Sequence, residues 1–229
     1  MIIHHQHRLD LSYHDAVALQ TRLAKQIRFE RIVPENIRYV AGADIAISKR
    51  ADKLVAAVVV FAFPSLEIVE TRMAKRKSTF PYIPGLLSFR EIPVLVDCLK
   101  KIKTPLDAMI CDGQGIAHPR GIGLASHLGL MLQIPTVGCA KSLLVGEHSE
   151  VGRSKGDFAP LTYRQRRVGS VLRTRDGVKP VYVSPGHLAD HAGSRRIVLA
   201  CTTRYRLPEP TRQADRIAGE EKRRLETSG

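Results

Sequence analysis

Residues 108–123 read AMICDGQGIAHPRGIG, an apolar run that ends in an acid and continues into a loop with four glycines. The run Ala108–Cys111 is short and is bounded by Pro105 and Gly113, which is typical of a strand buried on both faces. Asp112 would then lie at the carboxyl end of that strand, where open α/β sheets bind their ligands. The alternative is an ordinary turn in which the glycines serve loop geometry, so a functional interpretation depends on partners elsewhere in the chain.

The composition favours a polyanionic partner. The 229 residues include 36 Lys and Arg against 22 Asp and Glu, which gives a formal net charge of +14. A charge of this size indicates nucleic acid, although the basic residues are spread along the chain and a merely basic soluble protein remains an alternative. With 44% hydrophobic residues, the chain can bury one sizeable core.

The cysteines and the hydropathy pattern bear on cellular location. Four cysteines lie far apart in apolar contexts, with no Cys-x-x-Cys pair: Cys98, Cys111, Cys139 and Cys201. This spacing indicates a reducing compartment and argues against a zinc site. Residues 1–11 lack the apolar run of a signal peptide, and no apolar stretch reaches the roughly 20 residues of a membrane helix. We therefore expect a cytoplasmic monomer with no membrane contact.

Hydrophobic periodicity predicts a mixed α/β domain. Ser12 begins an amphipathic helix that extends through Ile27. The next predicted elements are strands over 37–47, 54–63 and 66–73, a helix over 88–103, the strand over 108–111, a helix over 124–131 and a strand over 135–139. Short turns join the first three strands, so they form an antiparallel meander, and the later β-α-β order adds parallel strands. We predict one domain over residues 1–229, with helices flanking a mixed sheet.

The C-terminal half is less regular. Residues 147–167 are polar and lack periodicity, which predicts an irregular excursion. Residues 168–173 and 178–184 are predicted to pair as a hairpin around Asp176-Gly177. Residues 197–202 are predicted to be a last strand. A helix should begin at Pro208, and its charged end over 220–229 is expected to fray.

Three acids stand out as candidates for chemistry. Asp44 lies within an otherwise apolar strand, where a carboxylate is costly to bury unless it is paired or bound to a metal. If the first and fourth strands are neighbours, Asp44 and Asp112 converge, and such oxygen ligands suit Mg²⁺ or Mn²⁺. Glu91 has two interpretations, because Ser88-x-x-Glu91 also matches a capping box at a helix start. A catalytic role and a capping role are both open at this point.

Two further residues could contact a phosphate. His118 shares the glycine-rich loop with Asp112, and its imidazole could orient a water or contact phosphate. Lys141 follows a predicted strand end, where an ammonium group could hold a phosphate. The alternatives are a loop histidine of no special role and an ordinary solvated lysine.

Several long motifs, in order, resemble the endonuclease V family. They are VAGAD over residues 40–44, FPYIPGLLSFRE over 80–91, DGQG with HPR over 112–120, and YRLPEPTR over 205–212. The similarity extends from about Ile37 to Ala218. The resemblance implies a ribonuclease-H-like fold for a single catalytic domain. It also implies Mg²⁺-dependent nicking of deoxyinosine-containing DNA at the second phosphodiester bond 3′ to the lesion.

The resemblance also implies roles for individual residues. Asp44 and Asp112 match metal ligands, and Glu91 matches a catalytic carboxylate. Tyr82 matches the wedge that fills the gap left by a displaced base. Gly85 and Leu87 match positions that offer backbone groups to hypoxanthine, and Lys141 matches an active-site lysine.

One position departs from the family pattern. Some members have histidine in the C-terminal helix where this chain has Asp215, which leaves the role of Asp215 as a metal ligand open. Two alternatives to a deoxyinosine endonuclease also remain. One is a ribonuclease specific for inosine, and the other is a non-catalytic binder of damaged or structured nucleic acid, which would not need three convergent acids.

Overall fold

The computed structural model describes residues 3–4 and 7–227, so the signal-peptide prediction for residues 1–11 lies partly outside the described residues. Eight strands form one sheet in the order β3-β2-β1-β4-β5-β8-β7-β6. The strands are β1 Tyr39–Ser48, β2 Lys53–Ala62, β3 Glu67–Lys77, β4 Ala108–Cys111, β5 Thr136–Ala140, β6 Phe158–Tyr163, β7 Arg166–Leu172 and β8 Val181–Pro185. The α-helices are α1 Tyr13–Ala24, α2 Leu87–Leu99, α3 Leu124–Leu132, α4 His191–Ala200 and α5 Glu209–Thr227.

The predicted meander and the parallel strands are both confirmed. β1 pairs antiparallel with β2, and β2 pairs antiparallel with β3. β4 lies parallel to β1 on one side and to β5 on the other. β2 is almost completely buried, as expected of an apolar central strand. The result is a mixed sheet in which β1 and β4 are neighbours.

The predicted hairpin of residues 168–184 is also confirmed, because β7 and β8 pair antiparallel. The prediction of an irregular excursion over 147–167 is wrong in part, since residues 158–163 form β6 and pair with β7. β6 lies at the edge of the sheet and shows only partial alternation of buried and exposed residues. A half-exposed edge strand therefore carries a weak hydrophobic signal in the sequence.

The prediction of a strand over 197–202 is wrong, because residues 191–200 form α4. Asp190 caps this helix by accepting a hydrogen bond from the backbone N–H of Gly193, 3.1 Å away. Ile197, Val198 and Cys201 are buried at helical spacing. A short apolar run alone does not distinguish a buried strand from one face of a helix, and the cap decides this case.

Two apolar layers cover the two faces of the sheet. α2 and α3 pack on one face, and α4 and α5 pack on the other. The expectation of fraying over 220–229 is not met for residues 220–227, which continue α5. Glu221 is buried there and forms ion pairs with Lys75 of β3 and with Arg224. This contact fixes the end of α5 against the sheet.

Two sequence expectations concern cysteines and membranes. All four cysteines are buried as free thiols. None of the helices in the described residues is both long and apolar enough to span a membrane.

Candidate active site

The site begins where the parallel pairing of β1 with β4 ends. The register pairs Val40 with Ala108 and Ala43 with Cys111, and the backbone N–H of Asp112 donates to the carbonyl of Ala43 at 3.2 Å. Asp44 and Asp112 each follow the last paired residue of these parallel strands. The predicted adjacency of the first and fourth strands is therefore confirmed, and it places the two carboxylates side by side.

A lysine lies among these carboxylates. Lys141 Nζ is 2.5 Å from Asp112 Oδ2 and 3.2 Å from Asp215 Oδ2. Burial raises the pKa of Asp44 to about 8, and the charges of Asp112 and Asp215 add to this effect. Burial alone would lower the pKa of Lys141, but its ion pairs with the carboxylates raise it above its usual value. One ammonium thus balances an excess of negative charge.

α5 brings Asp215 to this cluster. The first turn of α5 lies directly on β1, where a Cβ at Gly42 would clash with the backbone of Pro210. Gly42 therefore lets the helix approach the strand closely. The close packing places Asp215 one turn later, within ion-pair distance of Lys141. The structure thus groups Asp215 with the carboxylates of β1 and β4.

The start of α2 decides between the capping and catalytic interpretations of Glu91. α2 has Leu86 as its N-cap residue, without a side-chain cap, so the capping box of Ser88 and Glu91 is wrong. The hydroxyl of Ser88 instead lies 3.1 Å from Nδ1 of the buried His127. Burial, together with the charge of Asp112, raises the pKa of Glu91 to about 7. Glu91 is thus a largely buried acid that senses the Asp112 carboxylate.

A cavity of about 380 Å³ opens beside these acids. Its size suits one nucleobase. It is lined by residues from five segments, among them Gln20, Tyr82, Gly85, Leu87, Glu91, Asp112, His118, Lys141, Ser142, Leu143 and Leu144. Seven of the residues proposed from the sequence therefore line one cavity: Tyr82, Gly85, Leu87, Glu91, Asp112, His118 and Lys141.

Tyr82 and Gly85 belong to a braced loop. The side chain of Tyr82 is 65% exposed although it is aromatic. Gly85 has a φ of +78°, which favours glycine. Its carbonyl accepts hydrogen bonds from Gln20 Nε2 at 3.0 Å and from Arg120 Nη2 at 2.6 Å. These two hydrogen bonds hold the backbone of the loop in place, while the tyrosine ring remains accessible to solvent.

His118 is a neutral side chain in this cavity. Burial lowers its pKa to about 4, and the charge of Arg120 acts in the same direction. Its Nδ1 accepts a hydrogen bond from the backbone N–H of Arg120 at 3.3 Å. With Nδ1 as the acceptor, the neutral ring has its proton on Nε2, on the side of the ring that lies against Gly85, and the backbone of Gly85 is its hydrogen-bond partner. The neutral ring therefore ties the 112–120 loop to the Gly85 loop and has no electrostatic attraction for phosphate.

Sequence reasoning missed Gln20 and Arg120. Arg120 Nε donates to Gln20 Oε1 at 2.5 Å, so the two side chains form one brace beneath Gly85. A signal for Gln20 existed, since it is a polar residue on the buried face of α1, beside Ala16, Leu19 and Leu23. A polar residue on a buried helix face requires a hydrogen-bond partner. The identity of that partner depends on tertiary structure.

Asp44 and Asp112 are the side chains that could hold a metal ion. Within residues 3–4 and 7–227, no three His, Cys, Asp or Glu side chains are arranged as a protein-only metal site. Mg²⁺ usually binds through one or two carboxylates and completes its shell with waters and substrate phosphates. Asp44 and Asp112 meet that smaller requirement, and the raised pKa of Asp44 indicates a need for positive charge. The residues present therefore fit a hydrated magnesium ion.

Comparison with known proteins identifies the family. A sequence model of the endonuclease V family matches residues 21–216. This chain belongs to the endonuclease V family. The matched region includes every candidate site residue except Gln20, and the predicted resemblance is confirmed.

Similar endonuclease V proteins extend over nearly the whole chain. The endonuclease V of Nostoc sp. is 49% identical over 218 residues, which cover 95% of this chain and 99% of the relative. The crystal structure of endonuclease V from Streptomyces avermitilis has a TM-score of 0.92 and 37% identity, and covers 99% of this chain and 100% of that one. The Ciona intestinalis endonuclease V, in complex with DNA containing an inosine followed by a ribo-adenosine, has a TM-score of 0.81 and 26% identity, with 93% and 98% covered.

Proposed function

We propose that this endonuclease V nicks deoxyinosine-containing DNA at the second phosphodiester bond 3′ to the lesion, with Mg²⁺ as the cofactor. One observation carries the proposal: two paired carboxylates, one within β1 and one just after β4, lie beside a base-sized cavity of about 380 Å³ with an exposed tyrosine at its edge. The inosine-containing DNA bound by the Ciona intestinalis relative supports the choice of substrate. In this proposal the protein acts as a cytoplasmic monomer.

The cavity suits a base that has left the helix. Hypoxanthine pairs weakly, so lifting it from the stack costs less than lifting an ordinary base. Tyr82 lies at the cavity edge and can occupy the vacated place in the stack. Gly85 and Leu87 offer backbone groups to the base, and the neutral His118 lines the cavity beside Gly85. Selection for the lesion then depends both on how easily the base leaves the stack and on the hydrogen bonds that it makes in the cavity.

Asp44 and Asp112 would hold the metal ion, for which Mn²⁺ can substitute. When bound, a divalent cation stabilises the charge that develops on the phosphate and lowers the pKa of an attacking water. Glu91 lines the same cavity as Asp112, and with its pKa raised to about 7 it would accept the proton of that water. Lys141 can bind a phosphate oxygen, and Asp215 orients its ammonium group. Asp215 therefore acts at the edge of the site rather than at its centre.

Matched oligonucleotides test the function. A duplex with one deoxyinosine should be nicked with Mg²⁺ and remain intact with chelator, and an otherwise identical deoxyadenosine duplex should remain intact in both. An inosine-containing RNA of the same sequence distinguishes the ribonuclease alternative. Binding of deoxyinosine DNA without nicking under any of these conditions would favour a non-catalytic binder and contradict the proposal.

The raised pKa values predict how stability depends on pH. We expect metal-free protein to lose thermal stability as the pH rises from about 4 to about 8. The pKa of Asp44 is raised to about 8 and that of Glu91 to about 7, whereas both groups titrate near 4 in an unfolded chain. Between these values the native state holds protons that the unfolded state has lost, so their stabilising effect disappears as the pH rises through the folded pKa. Melting temperatures in chelator across this range measure the effect.

A control variant isolates the contribution of Asp44 to this pH dependence. The substitution Asp44→Asn should flatten the curve by a few degrees at pH 8, where the native carboxylate is most costly. Added Mg²⁺ should raise the melting temperature of wild type more at pH 8 than at pH 5, and should raise that of Asp44→Asn less. If the melting temperatures of wild type and Asp44→Asn changed with pH in parallel, the assignment of the pH dependence to Asp44 would be contradicted.

The exposed tyrosine predicts a difference between duplex and single-stranded substrates. Loss of a stacked aromatic removes roughly 1–3 kcal/mol per base, so Tyr82→Ala should weaken binding to deoxyinosine duplex by about ten- to a hundredfold. Single-stranded deoxyinosine DNA has little stacking to replace and should lose less. Tyr82→Phe keeps the ring and should bind almost as wild type. Binding titrations on both substrates, with melting curves, measure this.

Equal loss on the two substrates, together with a lower melting temperature for Tyr82→Ala, would show that the ring organises the loop. That result would exclude the wedge role.

A further inference from the structure

A second and larger cavity adjoins the base-sized cavity. It has a volume of about 900 Å³ and lies between α1, the loop over residues 116–121 and the β6–β7 hairpin. Its cationic lining residues, which define the basic cleft, are Lys25, Arg120, Arg164, Arg166 and Arg167. Among the described residues that line the cleft there is no Asp or Glu. The basic cleft is therefore a concentration of one sign of charge.

Three of these cations lack a compensating acid. Arg164, Arg166 and Arg167 are exposed, and the structure shows no ion pair from them to any carboxylate in residues 7–227. Clustered like charges repel each other, and they attract a polyanion. A concave surface of this kind is the electrostatic pattern of a nucleic-acid site.

The turn that presents Arg164 is conformationally costly. Arg164 and Gln165 connect β6 to β7 and have φ angles of +50° and +61°. Two-residue hairpin turns of this type prefer Asn-Gly, because longer side chains adopt positive φ unfavourably. The chain therefore has an arginine where a less costly turn was available. Unfavourable backbone conformations of this sort concentrate at functional positions.

Aromatic side chains accompany the cations. Phe29 lines the basic cleft and is 56% exposed. Tyr163 also lines it, and the guanidinium of Arg164 lies over its ring, 5.1 Å from the centroid. A cationic groove with accessible aromatic rings is the usual platform for single-stranded nucleic acid, whose bases stack while its phosphates bind the cations.

The basic cleft continues from the base-sized cavity. His118 lines both, whereas Glu91, Asp112 and Lys141 line the base-sized cavity and not the cleft. β7 is three strand positions from β4 in the sheet. At about 4.8 Å per strand this is roughly 14 Å across the sheet, and the register places Arg166 four residues, or about 13 Å, along its strand from the level of Asp112. The direct distance is therefore roughly 19 Å, or about six nucleotides at 3.4 Å each. One strand can therefore pass from the carboxylates, past His118, to the β6–β7 hairpin.

We propose that the basic cleft binds the lesion-bearing strand on the 5′ side of the deoxyinosine. The inference rests on the proposed function, in which the bond that is cut lies on the 3′ side, at Asp44 and Asp112. The strand that leaves the base-sized cavity in the other direction is then the 5′ flank. Arg164 and Arg166 contact its phosphates, and Phe29 and Tyr163 stack with its bases.

Oligonucleotides of graded length test this directly. Single-stranded deoxyinosine DNA with a fixed 3′ flank and a 5′ flank of zero to eight nucleotides is titrated without divalent metal, so that it is bound and not cut. Wild type should bind more tightly as the 5′ flank grows to about six nucleotides, and then reach a plateau. Arg164→Gln with Arg166→Gln should remove this gain. It should also reduce the slope of log affinity against log salt by about 1.4, since each single-strand phosphate contact contributes about 0.7.

A control and a second variant guard against nonspecific effects. Lys100 and Lys103 are exposed between α2 and the start of β4, at the opposite end of that strand from Asp112. Lys100→Gln with Lys103→Gln removes the same charge and should keep the dependence on the 5′ flank. Arg164→Asn with Gln165→Gly gives the turn its preferred residues, so the melting temperature should rise while the gain from the 5′ flank falls. A loss of binding in that variant would then not result from a loss of folding.

Several results would overturn the proposal. They are wild-type affinity that does not depend on the 5′ flank, an equal loss on oligonucleotides without that flank, and a loss that appears only when a complementary strand is added. The last result would assign the basic cleft to the opposite strand. Matched deoxyadenosine oligonucleotides keep the proposed function separate, because a failure of lesion preference in wild type would count against that function and not against the dependence on flank length.

Discussion

Replacing either paired carboxylate, by Asp44→Asn or Asp112→Asn, should lower the nicking rate by at least about a thousandfold while lesion binding remains within a few fold of wild type. The two acids lie side by side, Asp44 within β1 and Asp112 just after β4, where we propose that they hold the metal ion. Metal stabilisation of a reacting phosphate is worth several kcal/mol, and each 1.36 kcal/mol is a factor of ten in rate. Binding depends mainly on phosphate contacts elsewhere. Single-turnover nicking with Mg²⁺ and separate binding titrations measure the two effects.

The stability of these variants helps to interpret their activity. The raised pKa of Asp44 shows that its charged form is unfavourable in the folded protein, so Asp44→Asn should melt at or above the wild-type temperature. Asp52 is a suitable control, because it is an exposed acid in the β1–β2 turn, paired with Lys77. Asp52→Asn should nick normally. Near-normal nicking by Asp44→Asn or Asp112→Asn would exclude the metal-site assignment.

Glu91→Gln should also abolish most activity, by about a hundred- to ten-thousandfold, which is the range for loss of a general base. The amide has nearly the shape of the acid but does not accept a proton at neutral pH. The N-cap of α2 is Leu86, so this substitution removes no helix cap. Because the pKa of Glu91 is raised to about 7, the neutral amide should leave the melting temperature equal or higher.

Nicking rates at saturating Mg²⁺, together with melting curves, test the role of Glu91. Asp97→Asn serves as a matched control, because Asp97 is an acid of the same helix that pairs with Arg76 and does not line the cavity. If Glu91→Gln lowered the melting temperature and kept its activity, the acid would have a structural role and another base would be required.

The central part of the fold could be predicted from local patterns. The β1–β2–β3 meander follows from alternating strands joined by short turns, and Asp112 lies where an apolar strand meets a glycine-rich loop. The pairing of β1 with β4 needed one assumption about sheet order, which the structure confirms. These features depend on periodicity and turn chemistry, both of which act over a few residues.

Other features depend on contacts between distant residues. The brace beneath Gly85 joins residues that are far apart in the sequence. Gln20 is 65 residues from Gly85 and 100 residues from Arg120. No local pattern indicates such a triad. The approach of Pro210 to Gly42, which brings Asp215 to the site, is of the same kind. Sequence alone left the position of Asp215 open for this reason.

The ambiguity of Glu91 had a different origin. Its spacing from Ser88 matches a capping box, and that pattern is common wherever a helix begins. In the structure the helix begins earlier, at Leu87, so Ser88 and Glu91 lie inside it. A difference of two residues in the helix start changes the interpretation of Glu91, and helix boundaries are the least certain part of a sequence-based prediction.

The measurement that tests the account most directly is the position of Mn²⁺ in crystals of the protein, located by its anomalous scattering. The account predicts a peak between the carboxylates of Asp44 and Asp112, at about 2.0–2.2 Å from an oxygen of each, as expected for a small hard divalent cation. The peak should disappear in crystals of Asp112→Asn. A protein that nicks deoxyinosine DNA in solution but binds Mn²⁺ at another position, or at none, would contradict it.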